Sequence, residues 1–156
     1  MGSDLSQVSI LTRREIEARI AGPLIQAFMK EFGVDKTLAV VKPVIEKLAK
    51  ESGALAAQMA GGNSLADFAR AMSAWSAGDA YEQEIIRQTE TQFDFDIKRC
   101  RYAEMYKELG LADLGVLLSC ARDFAMVEGF NPSMKLRRTK TIMEGKDCCD
   151  FRITLE

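Results

Sequence analysis

The chain has 156 residues, 47% of them hydrophobic and 28% charged, with a formal net charge of −2 and no histidine. At about 150 residues per domain this reads as one domain, long enough to bury a core without disulfides. The missing histidine excludes Ser–His–Asp and Cys–His catalysis, the HExxH zinc site and an imidazole ligand to haem. The near-neutral charge argues against a nucleic-acid partner.

No run of apolar residues is long enough to span a membrane. The start, Met1-Gly2-Ser3-Asp4-Leu5, lacks the basic residues and apolar core of a leader. Gly2 only superficially suggests myristoylation, since Ser6 lies in an acidic context. A cytoplasmic protein is expected, with Cys100, Cys120, Cys148 and Cys149 as reduced thiols. They form no CxxC, so no zinc ribbon or thioredoxin motif is present.

Residues 1–90 read as helices. Thr12-Arg13-Arg14-Glu15 fits a capping box before Ile16, Ile20, Leu24 and Phe28 at helical spacing. Pro23 is expected to kink or split that helix. A second helix begins near Asp35, bends at Pro43 and ends around Gly53. Ser64 caps a third, which carries Phe68, Met72 and Trp75 on one face and stops at Gly78-Asp79. A short helical segment is expected over 80–88.

From residue 91 the period changes. Phe93, Phe95 and Ile97 alternate with charged residues, as in a half-buried strand over 91–99. Two helices follow, one ending at Gly110 and one running from Asp113 to Glu128. Strands are expected over 134–143 and 149–155, joined by a turn at Gly145-Lys146-Asp147. The fold class is therefore α+β: a helical half on residues 1–90, and a mixed half on 91–156 with about three antiparallel strands.

Cys100 follows the first strand, Cys120 lies mid-helix and Cys149 starts the last strand. Three readings stand for them: small buried hydrophobes, a thiolate metal site, or a reactive thiol. Asp123 lies one helical turn beyond Cys120. A carboxylate beside a thiol raises the thiol pKa, so Asp123 suits a general base on water better than an activator of Cys120. Glu104 and Asp150 are further carboxylates on amphipathic elements. Arg138 falls among the apolar even-numbered positions Met134, Leu136 and Ile142, so it points toward the core side. Either its stem packs while its head snorkels outward or pairs with an Asp or Glu, or it lines a pocket where it binds a substrate carboxylate in two-pronged fashion. The cluster Lys98-Arg99-Cys100-Arg101 lacks the aromatics of an RNA site.

Five segments carry a family resemblance. Arg99-Cys100-Arg101-Tyr102-Ala103-Glu104-Met105-Tyr106, Leu118-Ser119-Cys120-Ala121-Arg122-Asp123-Phe124 and Arg138-Thr139-Lys140-Thr141-Ile142-Met143-Glu144-Gly145 resemble L-2-amino-thiazoline-4-carboxylic acid hydrolases. So do Cys149-Asp150-Phe151-Arg152 and Gly61-Gly62-Asn63-Ser64-Leu65-Ala66-Asp67-Phe68-Ala69. Two departures, Ala121 in place of a polar residue and the extra thiol of Cys148, bear on the pocket lining. The tail from Gly145 to Arg152 is also similar to the end of 4-vinyl reductase-type ligand-binding domains, so a non-enzymatic binding or sensory domain is the alternative.

The resemblance implies hydrolysis of a cyclic isothiourea bearing a carboxylate, without a cofactor or metal. Water adds at the carbon between nitrogen and sulfur, and the C–S bond breaks to give N-carbamoyl-L-cysteine. In that setting Asp123 activates water or holds the amidinium, and Arg138 binds the carboxylate. Cys120 attacks or lines the site with Cys100 and Cys149 beside it, and Asp150 and Glu104 complete the substrate contacts. A homo-oligomer is compatible with a site completed between subunits, though no sequence feature demands one.

Overall fold

A computed structural model describes residues 7–156; the segment Met1–Leu5, read above for a leader, lies outside them. The first helix, α1 (Ile10–Phe32), begins one turn earlier than the Thr12 box suggests. Ser9 is the cap, its Oγ accepting the Thr12 N–H at 3.1 Å. Pro23 neither splits nor ends α1. Gly22, just before it, seats the helix closely on the Leu111 side chain. The chain turns at Gly33, whose φ of +89° suits glycine, into α2 (Val34–Ala60).

Helix α2 runs past Pro43 and past Gly53, where an end was expected, and stops at Gly61. Gly53 is a crossing point rather than a terminator: a Cβ there would fall 2.1 Å from the Met126 carbonyl. The reciprocal contact is Gly129, whose Cβ would fall 2.1 Å from the Lys50 carbonyl. Paired glycines thus let α2 lie backbone to backbone on a later helix. Next come α3 (Leu65–Ala71), closed by a Ser64–Asp67 capping box, and α4 (Ser73–Ser76).

Residues 81–88 are not helical, as expected above, but form strand β1 (Tyr81–Gln88). It is an edge strand on which only Tyr81 is even partly buried, so no inward alternation marks it in the sequence. Pairing with the neighbouring strand, not local propensity, decides its conformation. Strand β2 (Gln92–Cys100) follows as read, then α5 (Arg101–Glu108) and α6 (Ala112–Gly115). A π-turn over Val116–Cys120 separates α6 from α7 (Arg122–Phe130), where one straight helix was expected.

Strand β3 (Met134–Arg137) is shorter than the 134–143 reading, and β4 (Cys149–Leu155) matches its expected span. The sheet has four antiparallel strands in the order β1-β2-β4-β3, one more than expected. Phe95 and Phe151 face each other across β2 and β4 and stack at 4.8 Å. The α+β class with a helical N-terminal part stands.

Two apolar clusters fill the interior. One joins sheet residues Phe93, Phe95 and Ile153 to Phe68, Val127 and Phe130. The other gathers Ala18 and Ile25 of α1 with Tyr106, Leu114 and Leu118. Cys100 and Ile142 pack against both clusters. The functional candidates lie along that seam.

Candidate functional site

The site begins with the π-turn. Ala121 N–H reaches back to the Val116 carbonyl at 2.7 Å, which widens the helix by one residue before Asp123. The carbonyl of Cys120 accepts from Arg138 Nη2 at 3.0 Å, and Nη1 of the same guanidinium pairs with Asp123. Arg138 also stacks between Phe124 and Phe151, 5.1 Å from each ring centre. Its side chain is 5% exposed, so it does not snorkel outward, and the pairing with an acidic residue expected as the alternative to snorkelling is made with Asp123.

Asp150 explains why β3 is short. The chain leaves the sheet after Arg137, and Asp150 accepts from Thr139 N–H at 2.8 Å, Lys140 N–H at 2.6 Å and the Thr139 hydroxyl at 2.6 Å. Those amides would otherwise have continued the ladder. The expected extension of the strand to 143 is replaced by this loop and a 3₁₀ turn over Ile142–Glu144. Asp150 therefore holds the loop that carries Arg138, and its oxygens are occupied in doing so.

Burial pushes the Asp150 carboxyl up, but the hydrogen bonds from Thr139 and Lys140 outweigh it and hold its pKa below 3.8. A depressed folded-state value contributes stability that is present above 3.8 and lost as pH falls through that lower value. Asp150→Ala is expected to cost about 2 kcal/mol in urea unfolding at neutral pH. The gap to wild type should close in acid.

Asp123 keeps 31% of its side-chain surface accessible although protein crowds it closely. Burial pushes its pKa up, and Arg138, with Arg122 behind it, draws it back. Burial, reinforced by Asp123, drives the Cys120 thiol far above its ordinary range. Cys149 is pushed up to about 11 by burial, although Ile142 N–H donates to its Sγ at 3.2 Å. Cys100 is raised by burial as well. At neutral pH these thiols are protonated, as expected of thiols in apolar or acidic surroundings.

Asp123, Arg138, Cys120, Cys149 and Cys100 thus share one electrostatic neighbourhood. Glu104 does not join it as a free carboxylate: Arg99 engages both its oxygens, at 2.8 and 3.1 Å, on the exposed flank of α5. Such an exposed pair contributes little to stability. Two residues not singled out in the sequence stand beside the group. The Tyr81 hydroxyl donates to the Met72 carbonyl and that of Tyr102 to the Trp75 carbonyl, both at 3.1 Å, and both phenols feel the charge of Asp123. Tyr81 carried no signal because its strand read as helix.

A groove of about 840 Å³ opens beside Arg138. Lys47 and Lys50 of α2, Phe124, Thr139 and Lys140 line it with Arg138; Asp123 and the cysteines do not. Among the described residues, no three Cys, Asp or Glu side chains are placed to hold a metal ion. Nor is any helix among them long and apolar enough to cross a membrane.

A helical layer over a four-stranded antiparallel sheet, with polar groups at the seam of two cores, defines a class of α+β domain found in proteins of different roles. A trafficking protein particle complex subunit 3 from Naegleria fowleri, covalently bound to palmitic acid, has this fold with a TM-score of 0.56 and 13% identity; 92% of this chain and 95% of that one are covered. The phenol-responsive sensory domain of the transcription activator PoxR, with phenol, gives 0.57 and 10% identity, over 94% of this chain and 76% of that one. At such identities the likeness concerns the fold alone.

The sequence is more specific. The family model for L-2-amino-thiazoline-4-carboxylic acid hydrolase matches residues 13–153, and the chain belongs to that family. No curated protein matches the chain by sequence.

Proposed function

We propose that the protein hydrolyses a small cyclic amidine or isothiourea, with L-2-amino-thiazoline-4-carboxylate as the substrate and N-carbamoyl-L-cysteine as the product. The observation that carries this reading is the Asp123–Arg138 pair beside Cys120, in a chain of this family. Burial raises the Asp123 pKa, and the guanidinium of Arg138 opposes that rise and favours the ionised, basic form. Asp123 takes a proton from water as the oxygen bonds to the carbon between nitrogen and sulfur. The C–S bond then breaks, and the proton passes to the departing sulfur. A thiolate of ordinary pKa about 8.5 leaves without a strong acid, so no imidazole is needed.

Arg138 is first the counter-ion of Asp123. Its remaining N–H donors face a groove of mixed charge, in which Lys50 pairs with Glu128 at 2.8 Å and Glu46 and Glu144 also lie, so a substrate carboxylate would compete with these groups for the cations. Cys120 acts as lining, because an acyl-transfer nucleophile would need the thiolate that its surroundings disfavour. Cys120→Ser is accordingly expected to keep near-normal turnover, measured as steady-state thiol release. Four free cysteines fit work in the reducing cytoplasm.

A second reading, a non-enzymatic small-molecule-binding domain, draws on the fold shared with a phenol-responsive sensory domain. Incubating the purified protein with the thiazoline and following new thiol with a thiol reagent separates the two. Ring opening supports the hydrolase. Saturable binding of intact thiazoline without new thiol supports the binding domain.

A further inference from the structure

The neighbourhood of Asp123 holds a second cation. Arg138 has committed one end of its guanidinium to Asp123 and the other to the Cys120 carbonyl, and it is 5% exposed. The other cation whose charge Asp123 feels is Arg122. It opens α7 immediately before Asp123 and is partly buried. Among the described residues Arg122 makes neither an ion pair nor a hydrogen bond. Even Asp123, close enough for each to feel the other's charge, does not close on it.

Its surroundings add positive charge rather than cancel it. Arg14 approaches from α1, one turn before Ala18, which packs with Tyr106 and Leu118 in the second apolar cluster. The Arg14 side chain is 18% exposed and pairs with Glu17. Burial and Arg14 both press the Arg122 pKa below 12.5. Glu17 answers one of these two guanidiniums and Asp123 is taken by Arg138, so one positive charge stands over. Tyr106 is 1% exposed, and its phenol feels both Arg14 and Arg122. Its hydroxyl makes no hydrogen bond to any described residue. A partly desolvated charge beside an unanswered hydroxyl is costly until an anion meets both.

We propose that Arg122, flanked by Arg14 and the Tyr106 hydroxyl, binds the carboxylate of the substrate and so selects ring compounds that carry one. The inference rests on the hydrolytic reading and moves the carboxylate from Arg138 to the cation next to Asp123 in the chain. A guanidinium holds a carboxylate through two parallel N–H donors. In L-2-amino-thiazoline-4-carboxylate only three bonds separate the carboxylate carbon from the carbon that water attacks. Consecutive residues have Cα atoms about 3.8 Å apart. Arg122 and Asp123, adjacent but not joined, therefore match the two ends of so small a molecule.

The test compares wild type with Arg122→Gln by thiol release from L-2-amino-thiazoline-4-carboxylate and from 2-amino-2-thiazoline, which lacks only the carboxylate. The variant should raise KM for the carboxylate roughly 10–100-fold, as expected for one charged hydrogen bond. Its kcat should stay near wild type, and its KM for 2-amino-2-thiazoline should not change. Equal urea midpoints should show the fold intact. An unchanged KM for the carboxylate would overturn the proposal, as would an equal loss on both compounds. Were wild type to release no thiol from either, the hydrolytic reading would fail, and calorimetry with the same two compounds would decide for Arg122. Tighter binding of the carboxylate that is lost in Arg122→Gln sustains the site; wild type binding both alike, or neither, overturns it.

Discussion

Arg138→Leu is expected to lower unfolding stability by about 3 kcal/mol at neutral pH and to abolish turnover. The leucine fills the slot between Phe124 and Phe151, so lost packing is the smaller part of the effect. The larger part is Asp123, left with a crowded charge and no adjacent counter-ion. Removing one member of a buried pair typically costs about 3–5 kcal/mol; the accessible 31% of Asp123 places this case at the lower end. The sign with pH follows. In the variant the Asp123 pKa rises further, so the folded state binds a proton more tightly than the unfolded state. Stability then declines as pH climbs from 3.8 through the raised value. Urea midpoints at several pH values should show variant and wild type converging in acid and diverging toward neutrality.

Gly129→Ala is the second large effect. A Cβ at this position meets backbone, the carbonyl of Lys50 at 2.1 Å, so no side-chain rotation can relieve the clash. Helix propensity favours the alanine by about 1 kcal/mol. Overpacking against rigid backbone costs typically 1–3 kcal/mol and occasionally more. A net loss of about 2 kcal/mol is expected from denaturant unfolding. Gly53→Ala strikes the same crossing from the other helix. Because one separation of α2 from α7 relieves both clashes, the double variant should lose less than the sum of the two. Both helices also wall the groove beside Arg138, so the same displacement should weaken substrate binding.

Much of the fold was legible because burial leaves a periodic trace. Phe93, Phe95 and Ile97 announced β2, and Cys149 through Leu155 announced β4. The trace fails where it is absent or misleading. β1 has no buried alternation, so its strand state is visible only in its pairing with β2. Gly53 looks like a helix stop, and only the partner helix shows that it is a contact. In the site, the placement of Asp123 near Cys120 and the inward turn of Arg138 could be read from spacing and from a charge in an apolar register. That Arg138 pairs with an Asp or Glu could be read as well, but not that Asp123 is the partner, since that needs the π-turn and the departure of the chain from β3. Asp150 and Glu104 looked alike in sequence; one secures the loop bearing Arg138, the other is taken up by Arg99.

The central claim is that Asp123 is the base that opens the ring. Its most direct test is the rate of thiol release from L-2-amino-thiazoline-4-carboxylate by wild type and by Asp123→Asn at equal folded concentration. Wild type should release thiol and the variant should be slower by roughly 10²–10⁴-fold, the usual contribution of general base catalysis. An Asp123→Asn protein that opens the ring as fast as wild type would contradict the claim.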